Sequence, residues 1–523
     1  MKLLLFAFFL RLASHVIVAD LDEDDFCPPN WPKYKLTANE IDHPIKIPMG
    51  KNEDNGCLCR EIPNKRTICF GRDSCRQFPR KLHIKTSLLR IKTTQIVEFH
   101  KGDFSEIYEN LNTLEIEANY YLIKIEGGTF SDMTNLTNMS ISYNANLKKL
   151  EKDTFEGLVN LKELFLIKNG FTRIPDVTLA LTSDVLPSIF KLSLSENTFR
   201  EINKDDFSSM IGSTLRELNL VLCQTEYIHP ETFTSLKHLS VIKLGENRFN
   251  VSTVSDLIKN SIELEIPLKT LNLYAVGFRK TPPKTLLKAI SNSNITHLCL
   301  ARNQFEILKE NTFPYMPKLE YLDLREVLAL NVTWNAFSGM PNLHTLLLSG
   351  NKLPSVPDGV LLEQLTYLDL STNSGNSYYP SYFSLGKNKF LKMKKLKYLI
   401  LSFNRINTLF NSTFNGLLNL RVLGLKNGTI FHVEENTFAP LKNLLVLNLE
   451  NNPFVKSSVL TSRLFFGLEK LEVLLLGGCL ISSIPKESNP FLYLKSLNHL
   501  GLEENHLLIL PGEIFHPLKN LET

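Results

Sequence analysis

The sequence predicts an α/β solenoid of stacked parallel strands, and three observations predict it. A beat L-x-x-L-x-L-x-x-N recurs about every 24 to 31 residues, with about sixteen copies between Leu111 and Asn505. It is plain in Leu161–Asn169 and Ile295–Asn303, and returns at Leu365–Asn373, Leu396–Asn404, Leu444–Asn452 and Leu497–Asn505. A second signature, Phe-x-x-Leu, precedes the next strand at Phe155, Phe233, Phe414, Phe438 and Phe515. Third, five of the 8 cysteines crowd together before the first copy.

Taken in chain order, residues 1–19 read as a secretory signal. Lys2 precedes the apolar run Leu3–Leu10, Arg11 interrupts it, and an acidic stretch follows Ala19. The run is short for a bilayer span, and no later segment has about eighteen unbroken apolar residues. Residues 20–85 hold Cys27, Cys57, Cys59, Cys69 and Cys75. In an oxidising compartment they read as a disulfide-stapled cap over the exposed edge of the first turn, with two bridges, one odd thiol and an open connectivity. Cys57-Leu-Cys59 is too closely spaced for a structural zinc site, so no metal is expected.

From residue 86 to 523 the beat reads as one leucine-rich repeat horseshoe of about 16–18 repeats with a concave parallel β-sheet. The first, fourth and sixth residues of each copy are apolar, giving a short strand with one buried and one open face. One such strand cannot bury its apolar side alone, so neighbouring copies must stack. The ninth residue, Asn in about eleven copies, has an amide that donates and accepts and can satisfy the backbone of the turn. Cys223 and Cys479 replace it, and Val276, Val327 and Gly428 break the ladder. The Phe stripe reads as core. Repeats lengthen between Leu239 and Ile295 and between Leu365 and Leu396; the latter insert holds Tyr378, Tyr379, Tyr382 and five lysines from Lys387 to Lys395. Such loops project and often bind, although a solvated basic edge is the commoner outcome. Phe515–Thr523 begins a further repeat without completing it, so a fragment of a longer chain is expected.

Seven N-x-S/T sequons, at Asn135, Asn138, Asn250, Asn294, Asn331, Asn411 and Asn427, point to the same extracellular address. Asn138 projects from the sheet, where a glycan would shield the inner face. The third positions are polar early (Thr113, Asn138, Glu163, Lys191, Glu217) and aromatic or aliphatic later (His297, Tyr321, Thr345, Tyr367, Tyr398, Val422, Val446, Val473). Tyr321, Tyr367 and Tyr398, with Asp323 and Asp369 two residues beyond the first two, are the candidate ligand track, since exposed aromatics dominate interface energetics. Against this, Tyr and Val simply favour strands. Cys299 is expected on the same face as an unpaired thiol.

No nucleophile, phosphate-loop or zinc-protease motif is present, and the 12 histidines are scattered, so neither catalysis nor a cofactor is expected. A net charge of +4 gives no sign of a nucleic-acid partner for the chain as a whole.

The signal, the cysteine cap and the irregular F-x-x-L…L-x-x-L-x-L-x-x-N coils together resemble the ectodomain of Toll-like receptors. That resemblance implies recognition of a protein or of a microbial or secreted ligand, and homo- or heterodimerisation through the ectodomain. It also implies membrane attachment through a segment beyond Thr523, followed by a cytoplasmic signalling domain. Two rivals share the fold: a secreted or surface-tethered adhesion or matrix protein, and a leucine-rich hormone-receptor ectodomain, to whose coils Leu147–Val177 is similar.

Overall fold

The computed structural model describes residues 56–71, 74–79, 82–373, 382–454 and 460–523. The expected signal, Cys27 and the Tyr378-Tyr379 tip of the insert lie outside the described residues. Two compact units emerge. The first holds the described residues up to Gly277 together with Thr285–Ile295; the second holds Phe278–Lys284 and Thr296–Thr523.

The first unit opens with an antiparallel hairpin, Leu58–Ile62 against Arg66–Phe70, whose turn places Asn64 and Lys65 in the left-handed region. Cys59 faces Cys69 across this hairpin and is disulfide-bonded to it, while a second bridge joins Cys57 to Cys75. Arg66–Phe70 then pairs in parallel with Leu88–Lys92, so the cap's second strand covers the edge of the first turn. Eight in-register parallel strands follow, from Leu88–Lys92 to Thr270–Asn272. The second unit stacks nine more, from His297–Cys299 to His499–Gly501. Seventeen turns fall within the expected range.

The fourth-position residues form the spine: Leu164, Leu192, Leu218, Ile242 and Leu271 in the first unit, and Leu298, Leu322, Leu346, Leu368, Leu399, Leu423, Leu447 and Leu474 in the second. All are buried. Each contributes about 2 kcal/mol. Ordering the backbone of a turn costs about 1–2 kcal/mol for every residue, which no single strand offsets, so the turns hold only in stacks.

A left-handed residue sits at the eighth position of all seventeen turns, from Thr93 to Ala275 and from Arg302 to Glu504, with φ between 50° and 68°. Only Gly350 and Gly478 are glycines. Everywhere else the conformation is strained by about 1 kcal/mol or more. Where a further turn follows in the same unit, the strain is offset because the N–H of this residue donates to the seventh-position carbonyl of that turn, as from Tyr143 to Ile167 (2.8 Å) and from Phe403 to Lys426 (2.7 Å).

The ninth-position Asn locks the same corner. Asn351 Oδ1 accepts from the N–H groups of Val327 and Ala329 in the preceding turn (3.0 and 2.9 Å). Its Nδ2 donates to the carbonyls of Leu324 and Leu348 (both 2.9 Å). Where Asn is missing, the backbone compensates. Phe199, Phe305, Ile406 and Phe454 turn their N–H groups to the main-chain carbonyls of Cys223, Val327, Gly428 and Cys479 respectively. The two thiols also imitate the amide donor, bonding to Leu194 O (3.3 Å) and Leu449 O (3.1 Å).

On the opposite side of the turns the Phe rings pack pairwise, for example Phe130 with Phe155 (6.3 Å between ring centres) and Phe414 with Phe438 (5.8 Å). Phe515 is half-buried. Helix is sparse. The long stretch after Leu239 is filled by helices at Val251–Glu263 and Lys284–Ser291. The first starts at Asn250, whose side chain accepts from Ser252 N–H (3.2 Å), and buries Val254, Leu257, Ile258 and Ser261.

Replacing Asn351 by Ala strands the Val327 and Ala329 N–H groups and the Leu324 carbonyl, while Leu348 O keeps Asn373 Nδ2 (2.9 Å), and is expected to cost about 2–4 kcal/mol, read as a lower urea midpoint. Asn342→Ala, which loses one exposed bond to Pro317 O, is expected to cost under about 1 kcal/mol. Equal losses would show that the ladder is not what closes the turn.

Candidate functional site

The third and fifth positions of each strand make the outer face of the sheet. In the first unit this face is polar and internally matched. Arg90 pairs with Glu115. Asn138 Nδ2 donates to Glu163 (2.9 Å), and Glu217 is bracketed by Lys243 (2.9 Å) and Lys191 (3.6 Å).

In the second unit register places His297 beside Tyr321, and Thr345 beside Tyr367, which is followed by Tyr398, Val422, Val446 and Val473. His297 stacks on Tyr321 with ring centres 5.5 Å apart, and Tyr367 and Tyr398 lie 5.7 Å apart. Tyr321, Leu347, Tyr367 and Ile400 form one cluster, flanked by Tyr398 and Val422. The five candidate residues thus lie on one face, but at different depths. Tyr321 is 3% exposed, Tyr367 8% and Asp323 0%, whereas Asp369 and Tyr398 are half-buried. Sequence alternation says which way a side chain leaves the strand, not how tightly its neighbours close over it.

The two aspartates have a local task that the sequence reading missed. Asp323 Oδ1 accepts from Arg325 N–H (2.9 Å) while Oδ2 binds the Arg325 guanidinium (2.6 and 2.9 Å). Asp369 likewise accepts from Ser371 N–H (2.8 Å). Asn219, Asn272 and Asn448 make the same bond two residues ahead. The signal was available as an Asp or Asn at the fifth position, where a short side chain closes an Asx turn. Burial pushes the Asp323 carboxyl above its usual range, with Arg325 opposing the shift.

Cys299 corrects an expectation: it is buried and disulfide-bonded, not an exposed free thiol, because the fifth position here is covered. Among the described residues Cys223 and Cys479 are the free cysteines, both buried. Among the sequons, Asn135, Asn250, Asn294, Asn331 and Asn411 are exposed, and Asn138 and Asn427 half-buried. Among the described residues no cluster of His, Cys, Asp or Glu is arranged to hold a metal, and no helix is long and apolar enough to cross a membrane.

The leucine-rich repeat family matches residues 109–171, 293–353, 394–454 and 419–481. Toll-like receptor 3 of Boselaphus tragocamelus is 26% identical over 61% of this chain and 38% of its own length. CD180 antigen of Mus musculus is 27% identical over 60% of this chain and 47% of its own length. The chain carries leucine-rich repeats and is homologous to Toll-like receptors and CD180. This leucine-rich repeat chain therefore spans less than half the length of either relative. Its fold matches that of the mouse RP105/MD-1 complex with a TM-score of 0.60 at 18% identity, covering 86% of this chain and 84% of that one.

His297 gives this repeat face an acid response. Burial lowers its basicity below the ordinary 6.5, with Glu320 opposing the shift. The unfolded chain thus takes up a proton near 6.5 and the folded chain only at lower pH, so stability falls as pH drops below 6.5. His499 is shifted the same way. The urea midpoint is expected to fall between about pH 7.5 and pH 5.5, and His297→Phe to remove part of that fall. An acid slope unchanged by the substitution would mean that His297 is solvated.

Proposed function

We propose that this chain is the extracellular ligand-recognition region of a Toll-type signalling receptor, binding a protein or a microbial or secreted ligand and pairing ectodomain to ectodomain. The observation that carries the reading is the run of aromatic and aliphatic third positions, in register across the second unit, on a fold whose sequence relatives include Toll-like receptors and CD180. RP105 is solved in complex with MD-1, and a protein ligand is the occupant proposed here as well.

In this reading Tyr398, Asp369 and the rim of Tyr367 touch the ligand, while Tyr321 and the Asp323–Arg325 pair stiffen the floor beneath them. Aromatic rings already packed on one another lose little freedom on binding, which favours affinity. The role is non-enzymatic. An oxidising, secretory address is supported by the Cys57–Cys75 and Cys59–Cys69 bridges and by five exposed sequons.

Expression of the chain in mammalian cells tests the address. Expected is export to the medium, with a loss of mass on enzymatic removal of N-glycans; an unglycosylated chain retained in the cytosol would overturn it. Reading the transcript past the codon for Thr523 tests the receptor role. An apolar span followed by a soluble α/β domain is expected, and a stop codon would leave a secreted binding or adhesion protein.

A further inference from the structure

A second surface of the second unit, one residue before the third positions that carry Tyr367 and Tyr398, carries a charge that no internal partner cancels. At the entry to five successive strands the turns leave a groove of about 670 Å³ lined by Thr366, Lys395, Lys397, Asn419, Arg421, Asn443, Leu445 and Lys470. The lining holds four cations and no carboxylate. Among the described residues none of the four cations is ion-paired; Lys470 alone has a polar partner, Asn443 Oδ1 at 2.8 Å.

The groove is a rigid ladder rather than a chance cluster. Backbone bonds run from Lys397 N to Thr366 O, from Arg421 N to Lys397 O and from Leu445 N to Arg421 O, each 2.8 Å. Asn419 and Asn443 brace the rung beside it, donating to Lys394 O and Leu418 O (both 2.8 Å). With strands about 4.8 Å apart, the lining runs roughly 19 Å along the stack. Glu472, on the same rung as Lys470, ends the positive track. The remaining basic residues of the insert are otherwise engaged or elsewhere: Lys389 pairs with Asp358 (2.6 Å) and Lys387 lies over the Phe410 ring. Neither Asn419 nor Asn443 is a sequon, so the groove carries no N-glycan of its own.

We propose that this groove binds a linear sulfated polysaccharide, whose sulfate esters meet Lys395, Lys397, Arg421 and Lys470 in sequence. Charge complementarity along one axis favours a linear polyanion. The absence of any aromatic ring from the lining removes the stacking platform on which single-stranded nucleic acid binds. Choosing a glycan over an intracellular anion rests on the extracellular reading above.

The test uses the purified 523-residue chain, a fluorescent heparin decasaccharide, desulfated heparin and an oligothymidylate, at about 150 mM salt. The native chain is expected to bind the decasaccharide and not the desulfated form. Lys397→Ser with Arg421→Ser should weaken binding roughly tenfold. Lys284→Ser with Lys288→Ser removes the same charge from a helix elsewhere and should change affinity less than about twofold. Circular dichroism and the urea midpoint confirm that both double variants fold. No binding by the native chain, or equal loss in both variants, overturns the proposal. Tighter binding of the oligothymidylate, abolished by the groove substitutions, assigns the groove to nucleic acid instead. Because binding is read on purified material, a chain that is not exported is distinguished from a groove that does not bind.

Discussion

Both units depend on the corner at which each strand turns away from the sheet. There an eighth-position residue in the left-handed region aims its N–H at the next turn, and a ninth-position amide ties together two donors and two acceptors of adjacent turns. Where the amide is missing, a main-chain carbonyl takes over part of its task. A non-glycine residue at φ near 55° is strained unless its surroundings over-determine it, and a buried amide costs more than it returns unless all its valences are used. Together they let a polar corner sit against an apolar spine. Because the corner recurs with every turn, the spine leucines meet in register without any long-range device.

The corner also governs the outer face. From Glu163–Phe165 onward the strand is cut to three residues, so there only the third and fifth positions reach outward and chemical variety is confined to two side chains per turn. In the first unit many of these are spent on matched polar pairs, and Asn219 and Asn272 on Asx bonds. In the second unit the fifth position often closes the corner itself through an Asx bond, as in Asp323, Asp369 and Asn448. The third position is left as the main site of free variation, and there the rings and aliphatics gather.

Much of this was legible in the residues. The period, the buried first, fourth and sixth positions, the Phe stripe and the cap follow from patterns in which one residue type has one physical task. The ninth-position Asn was read correctly as a backbone partner. What escaped was whatever required knowing the neighbouring turn. The main-chain carbonyls of Val327 and Gly428 repair the ladder, and no side chain announces this. The helix at Val251–Glu263 was readable in principle, from the Asn250 cap and the spacing of Val254, Leu257, Ile258 and Ser261. Its apolar run was hidden within a stretch noticed only for its length. Depth on the outer face was not readable, because Tyr321 and Tyr398 share a position in the repeat and differ only in what surrounds them.

Cys223 and Cys479 stand where an amide usually does, and burial holds the Cys223 thiol far above its usual range and that of Cys479 up to about 11. Folded, neither offers a thiolate to an oxidant or to the cap's disulfides. Their inertness is a property of the closed corner rather than of the sulfur. Once heat opens the turns, both thiols regain ordinary acidity within reach of the disulfides of the cap and of Cys299, and exchange competes with refolding. Unfolding of this chain in neutral or alkaline solution is therefore a chemical ratchet, and its persistence is governed by how rarely the corners open.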